Sequence, residues 1–267
     1  MACVRGRVIG AAAGLVVGAA VSLAACGGTP TGQTDPTPGA LPARADREQL
    51  AGLAAAAKDR RYVATYTLSA PKQDDRVVTV AVATDGSWVV AIPAGALGGL
   101  ADIAIFGSHA GMFQCALGPA MGTVGVRPDL PPVTAGCVKV SRLTAATDPR
   151  IHHMFTDWID PLTNRAAALS VTAVRPLAGA QGSCYSVESN SAALAPPVDP
   201  GIYCYKRDGL LSAASVGFGT LTLAGAVAPA PPSVAMPAPV VSRPPLPLVA
   251  PPPPPSPSAS ASPKPII

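Results

Sequence analysis

The side chains best suited to ligate a metal or move a proton crowd into one short stretch: Asp148, His152, His153, Asp157 and Asp160. If that stretch is helical, His153 and Asp157 stand at i and i+4 on one face. An imidazole and a carboxylate so placed share a proton or a cation. Asp148 and Asp160 each precede a Pro, and Asp-Pro is a helix-start signal in which the acid caps and Pro takes the first position. Ile151, Phe155, Trp158, Ile159 and Leu162 supply the apolar stripe of this helix, which is expected to break at Asp160-Pro161 and resume to about Leu169. The two His fall opposite the stripe. One ligand pair at helical spacing leaves a metal centre without its third and fourth ligands, so the expectation here is a solvated helix face and no metal.

Other catalytic patterns are sparse. The chain has 3 His, and His109 lies in Gly107-Ser108-His109-Ala110-Gly111, where the Ser is second rather than third. That is not the strained Ser turn of hydrolases, and a turn between strands is the reading. Ser186, Glu188 and Ser189 have no His nearby in sequence. HExxH, P-loop and GxGxxG patterns are absent. The sequence predicts no catalytic residue, no cofactor and no enzyme activity.

The amino terminus carries an address. Arg5 and Arg7 precede an apolar run from Val8 to Ala25 that is built of Ala, Gly and Val. A positive start, a short apolar segment and small residues at its end make a secretory signal, 1–25, rather than a permanent span. The run ends in Leu23-Ala24-Ala25-Cys26-Gly27, which resembles the lipobox of bacterial lipoproteins. The resemblance implies cleavage before Cys26, diacylation of its thiol, and lipid anchoring at the extracytoplasmic face of a cell membrane. Two acyl chains suffice for stable anchoring where one would not.

Of 6 Cys, Cys3 leaves with the signal and Cys26 takes the lipid. Cys115, Cys137, Cys184 and Cys204 remain, an even number that in an exported chain reads as two disulfides. Cys115–Cys137 and Cys184–Cys204 are the favoured pairs, because each lies within one hairpin-like segment. Neither CxxC spacing nor nearby His supports a zinc site at these positions.

Pro and Gly punctuate the rest. Of 267 residues, 32 are Pro and 26 are Gly, and half of the Pro lie beyond residue 228. Residues 26–44 read as a flexible tether and 45–226 as the folded domain. Residues 227–267 read as a disordered, polyproline-like tail, with Pro251 to Pro255 consecutive. Within the domain, Asp46 caps a helix over Arg47–Arg61. Tyr62, Ala64, Tyr66 and Leu68 alternate with Val63, Thr65 and Thr67 as a strand. Arg76–Ala83 and Trp88–Ile92 flank Thr84-Asp85-Gly86-Ser87 as a hairpin. Gly95–Gly99 reads as a loop. Further strands are expected at 103–106, 112–117, 122–126, 138–140, 170–174, 184–188, 201–205, 211–216 and 218–223. A formal charge of +4, falling to two after Arg5 and Arg7 are cut away, excludes the basic face that nucleic acid requires.

Strands outnumber helices and hairpins dominate, so the class is α+β with an antiparallel sheet. The order of helix, meander, helix pair and final strands, with Cys26 and the Tyr62–Leu68 and Val77–Ile92 strands, resembles the LolA-like lipoprotein-carrier superfamily, which includes LppX- and LprG-type lipoproteins. Lys at 5 against Arg at 14, with abundant Ala, Pro and Gly, looks like a lipoprotein of GC-rich actinobacteria. The resemblance implies a curved half-barrel packed on helices, with acyl chains between the layers. Tyr62, Tyr66, Trp88, Phe155 and Trp158 are then the pocket candidates for a lipid or other apolar ligand. The rival reading is an envelope-structural or protein-interaction lipoprotein that reaches a protein partner through its Pro-rich tail.

Overall fold

The computed structural model describes residues 40–121, 132–190, 196–250 and 252, without the side chains of 40–42. The expected signal segment, Cys26, most of the expected tether, the strand expected at 122–126 and the chain beyond 252 lie outside the described residues.

Eleven strands form one open antiparallel sheet in the order β6-β5-β4-β3-β2-β1-β11-β10-β9-β8-β7. Its strands are β1 Tyr62–Ser69, β2 Arg76–Val82, β3 Trp88–Ala96, β4 Ala101–Ser108, β5 Gly111–Pro119 and β6 Gly136–Val140 in one half. The other half holds β7 Leu169–Val174, β8 Ser183–Ser189, β9 Gly201–Tyr205, β10 Leu211–Val216 and β11 Gly219–Pro229. Each half is a meander of short hairpins, and β1 against β11 joins them, with Thr65 opposite Ala224. His109 sits in the turn between β4 and β5, as its Gly-flanked sequence predicts.

Alternation decides which face each side chain takes. Tyr62, Ala64, Tyr66 and Leu68 are buried on one face with Val78, Val80, Val90, Ile92 and Ile103. Two helices and a 3₁₀ turn cover that face: α1 Ala40–Asp59, the turn Ile151–Phe155, and α2 Ile159–Thr163. Leu50 and Ala54 of α1 and the whole predicted stripe from Ile151 to Leu162 are buried there. Arg47 locks the two helices together: its guanidinium donates to the carbonyls of Leu162 and Pro161, each at 2.9 Å, and of Asn164. These are acceptors that the end of α2 leaves without helical partners.

The helix boundaries correct the sequence reading. Helix α1 starts at Ala40, inside the expected tether, because Pro42 is tolerated in a first turn and Arg44 pairs with Glu48 at 3.5 Å. Asp46 is therefore no cap; its Oδ2 accepts the backbone N–H of Ala173 at 2.7 Å, on the outer edge of β7. The second helical region breaks at Thr156, not at Asp160. Thr156 Oγ1 bonds back to the His152 carbonyl at 2.9 Å, and its backbone leaves helical space. Asp160 lies within α2 and pairs with Lys58 at 2.7 Å, and α2 ends at Thr163 rather than Leu169.

The largest correction concerns residues 227–250, expected in a free tail. Strand β11 runs on to Pro229, and the chain after it is bound along the sheet. Val234, Met236 and Ala238 pack on the face away from the helices, against Phe106, Phe113 and the Cys115–Cys137 disulfide. The segment then rounds β6, where Cys137 N donates to Pro239 O at 2.8 Å. It ends on the helix side, where Gln114 holds the backbone of Leu246 through both ends of its amide, at 3.0 and 2.6 Å. Pro-rich chain cannot build a sheet, yet it can strap one by offering carbonyls.

Both disulfides form the predicted pairs, and each joins residues directly opposite in register, Cys115 to Cys137 and Cys184 to Cys204. Each lies on the face away from the helices. The Pro-rich strap covers the first, and Leu177 and Ala180 of the β7–β8 loop cover the second. Closing loops of 22 and 20 residues contributes about 3 kcal/mol each in the chain-entropy account.

Candidate functional site

Where α1 ends, the sheet and the helical arm leave a cavity of about 350 Å3. The starts of β1, β3 and β10 and the end of β9 bring Tyr62, Trp88, Leu211 and Tyr205 to its wall, and the arm adds Met154, Phe155 and Ile159. Two glycines shape it. Gly107 faces Trp88 across β3 and β4, and a Cβ there would lie 2.3 Å from the indole. Gly209, at φ +80°, lets the β9–β10 turn approach α1 so closely that a Cβ would lie 2.3 Å from the Ala57 nitrogen. Cations and acids pair at the rim, Lys58 with Asp160 and Arg60 with Asp208 at 2.8 Å.

Tyr62, Val82, Trp88, Met154, Phe155, Ile159, Tyr205 and Leu211 make the apolar and aromatic part of the wall, and Arg61, Thr156 and Asp157 add polar groups to it. Tyr205 is buried, and its hydroxyl has no hydrogen-bond partner. Burial pushes the Tyr205 phenol well above its ordinary pKa, and that of Tyr62 up to about 12. A buried hydroxyl without a partner costs stability, so this phenol is held for its aromatic body rather than for a bond within the chain.

Of the five expected pocket residues, Tyr62, Trp88 and Phe155 line this cavity. Tyr66 and Trp158 do not. Tyr66 lies in the core, its ring 5.1 Å from Phe155, and its hydroxyl donates to the Leu211 carbonyl at 3.0 Å. A larger cavity of about 1060 Å3 opens at the opposite end of β1, β2 and β3, bordered by Leu68, Arg76 and Ile92. Tyr66 and Phe155 thus stand between two cavities on the same face of the sheet. Tyr205 was missed in the sequence; its place two residues from Tyr203 in a strand was the available signal.

The second cluster lies beside the first cavity, and it overturns the expected solvated His face. His152 is 2 % exposed. The reason is the 3₁₀ geometry: residues three apart eclipse, so His152 follows Phe155 inward. The imidazoles of His152 and His153 lie 4.0 Å apart and tilted, between Trp88 at 6.1 Å and Trp158 at 5.3 Å. His153 donates from Nδ1 to Asp157 at 2.6 Å and from Nε2 to Asp148 at 2.8 Å. Burial alone would lower its pKa, but these two carboxylates outweigh burial and raise it to about 9. Burial, and then the charge on His153, push His152 down to about 4. Its Nδ1 has no hydrogen-bond partner. Arg150 pairs with Asp199 and lies over Trp158. Ser186, Glu188 and Ser189 lie on β8, away from this cluster in sequence and in strand order.

No helix among the described residues is long and apolar enough to cross a membrane. No protein-family model matches the chain, and no curated protein matches it.

Proposed function

We propose that this chain is a lipid-anchored extracytoplasmic carrier that binds an apolar or lipidic ligand between a curved half-barrel sheet and its helices. The observation that carries this reading is the cavity between the sheet and the helical arm, where Tyr62, Trp88, Phe155 and Tyr205 gather as an aromatic wall. Its volume falls within the range of small-ligand sites, roughly 300–1,000 Å3. The lipobox at Leu23–Gly27 supports the anchor, and the resemblance to lipoprotein carriers supports the ligand class. No residue is assigned a catalytic role. A partner held through a free tail ranks second, because residues 230–250 are already engaged with the sheet.

Native mass spectrometry of the chain, purified from host membranes in mild detergent, tests this. The expected spectrum shows a diacylated Cys26 and a second apolar molecule that is released on denaturation. A chain that carries no releasable molecule, and takes up none from mixed lipid vesicles, overturns the ligand.

A further inference from the structure

We propose that Asp148, His152 and His153 form a binding site for one divalent cation of the zinc type, with at least one coordination position left to solvent. Their ligand atoms all lie within 4.8 Å of one another. The sequence argued against a metal because helical spacing supplied only two ligands. The 3₁₀ turn changes that count, since it brings adjacent imidazoles together and turns both toward Asp148.

His152 Nδ1 is the independent sign. It is buried without a hydrogen-bond partner and stands 3.8 Å from Asp148 Oδ1. That gap is too long for a hydrogen bond. It matches an imidazole nitrogen and a carboxylate oxygen bound to one ion, each at about 2.0–2.2 Å with a wide angle between them. His153 Nε2 faces the other oxygen of Asp148 at 2.8 Å through a proton. An ion taking the place of that proton requires the pair to open by about half an ångström.

The surroundings are built for the charge. Asp157 holds His153 Nδ1 at 2.6 Å, which turns the Nε2 lone pair toward Asp148 once the proton leaves. This is the carboxylate–histidine–metal arrangement that orients ligands in zinc sites. With neutral imidazoles, Asp148, Asp157 and Asp199 against Arg150 leave a charge of two minus, which one divalent cation cancels. The side chains of Asp148 and His153 remain 17 % and 19 % exposed, so an ion has a way in. Two imidazoles and one carboxylate favour zinc and its late first-row neighbours over magnesium or calcium.

Equilibrium dialysis of the full, tag-free chain, stripped with a chelator, against Zn2+ provides the test. The expected result is one Zn2+ per chain. Co2+ should add visible d–d bands and quench the emission of the 2 Trp, both of which flank the imidazoles. Asp157→Asn, at a side chain 65 % exposed, should fold and weaken binding 10–100-fold. His153→Gln should abolish binding, and His109→Ala should leave it unchanged. A chain that binds less than one equivalent, or binds equally well with Gln at 153 and a native circular dichroism spectrum, overturns the site. A water bridging His152 to Asp148 would then account for the gap.

Discussion

Cys137 and Val240 lie side by side as parallel partners, with Cys137 N donating to Pro239 O and Val241 N returning to Cys137 O at 2.9 Å. The Pro-rich strap thereby occupies the edge of β6, and it presents few N–H groups of its own to any further strand. At the far edge, Asp46 of α1 takes the N–H of Ala173 in β7. Exposed edges recruit other chains, and here a Pro-rich segment and an acid blunt them.

Ending the chain after Pro229 should therefore uncover the β6 edge and the Phe106–Phe113 face together. Re-exposing two Phe alone costs up to about 3–6 kcal/mol. The truncated chain should bind an apolar dye, lose melting temperature and aggregate on size exclusion. Ending it after residue 252 should change none of these. A chain ended at 229 that melts like the full one would remove the strap from the fold.

Arg47→Met should cost about 2–4 kcal/mol in chemical denaturation, because three carbonyls at the end of α2 lose a charged donor. Arg47→Lys should recover only part, since an ammonium cannot reproduce the fork of a guanidinium. An unchanged midpoint in Arg47→Met would contradict this.

Tyr205→Phe should separate stability from binding. Removing a buried hydroxyl with no partner should leave the empty protein as stable or raise its stability by up to about 1–3 kcal/mol. The same change should lower the recovery of bound ligand in native mass spectrometry. Equal recovery from both proteins would exclude the hydroxyl from ligand recognition.

All 5 tyrosines have phenols raised by burial, Tyr62 to about 12. The folded state favours the neutral form, so this stabilisation is complete below the free phenol value near 10 and is withdrawn as pH rises toward 12. Tyr62 alone withdraws about 3 kcal/mol, at roughly 1.4 kcal/mol per unit. Phenolate absorbance should stay low past pH 10 and then rise together with the loss of circular dichroism. Phenols that titrate freely near pH 10 in an intact fold would refute the burial.

The parts legible in the sequence were those governed by local rules. Alternation at Tyr62–Leu68, the Asp85-Gly86 turn and the spacing of the Cys pairs each fix a neighbour within a hairpin, and each holds. The strap was not legible, because Pro-rich chain has no periodicity and its order comes from hydrogen-bond partners on Ser87, Gln114 and Cys137 far away in sequence. His152 was misread for a different reason: at 3.6 residues per turn it only flanks the Ile151–Leu162 stripe, whereas the 3₁₀ turn eclipses it with Phe155 and carries it into the core. Tyr205 became a pocket residue only when β9 met the end of α1.

The β1–β11 seam has a kinetic consequence. Each half of the sheet is made of near neighbours and can zip locally, but Thr65 must find Ala224 across 159 residues before the two halves share a core. Ordering so long a loop comes before any reward from the contacts it brings. Refolding should therefore be paced by a late docking of two preformed meanders, and a chain missing its last strand would leave β1 and β10 both unpaired along one side.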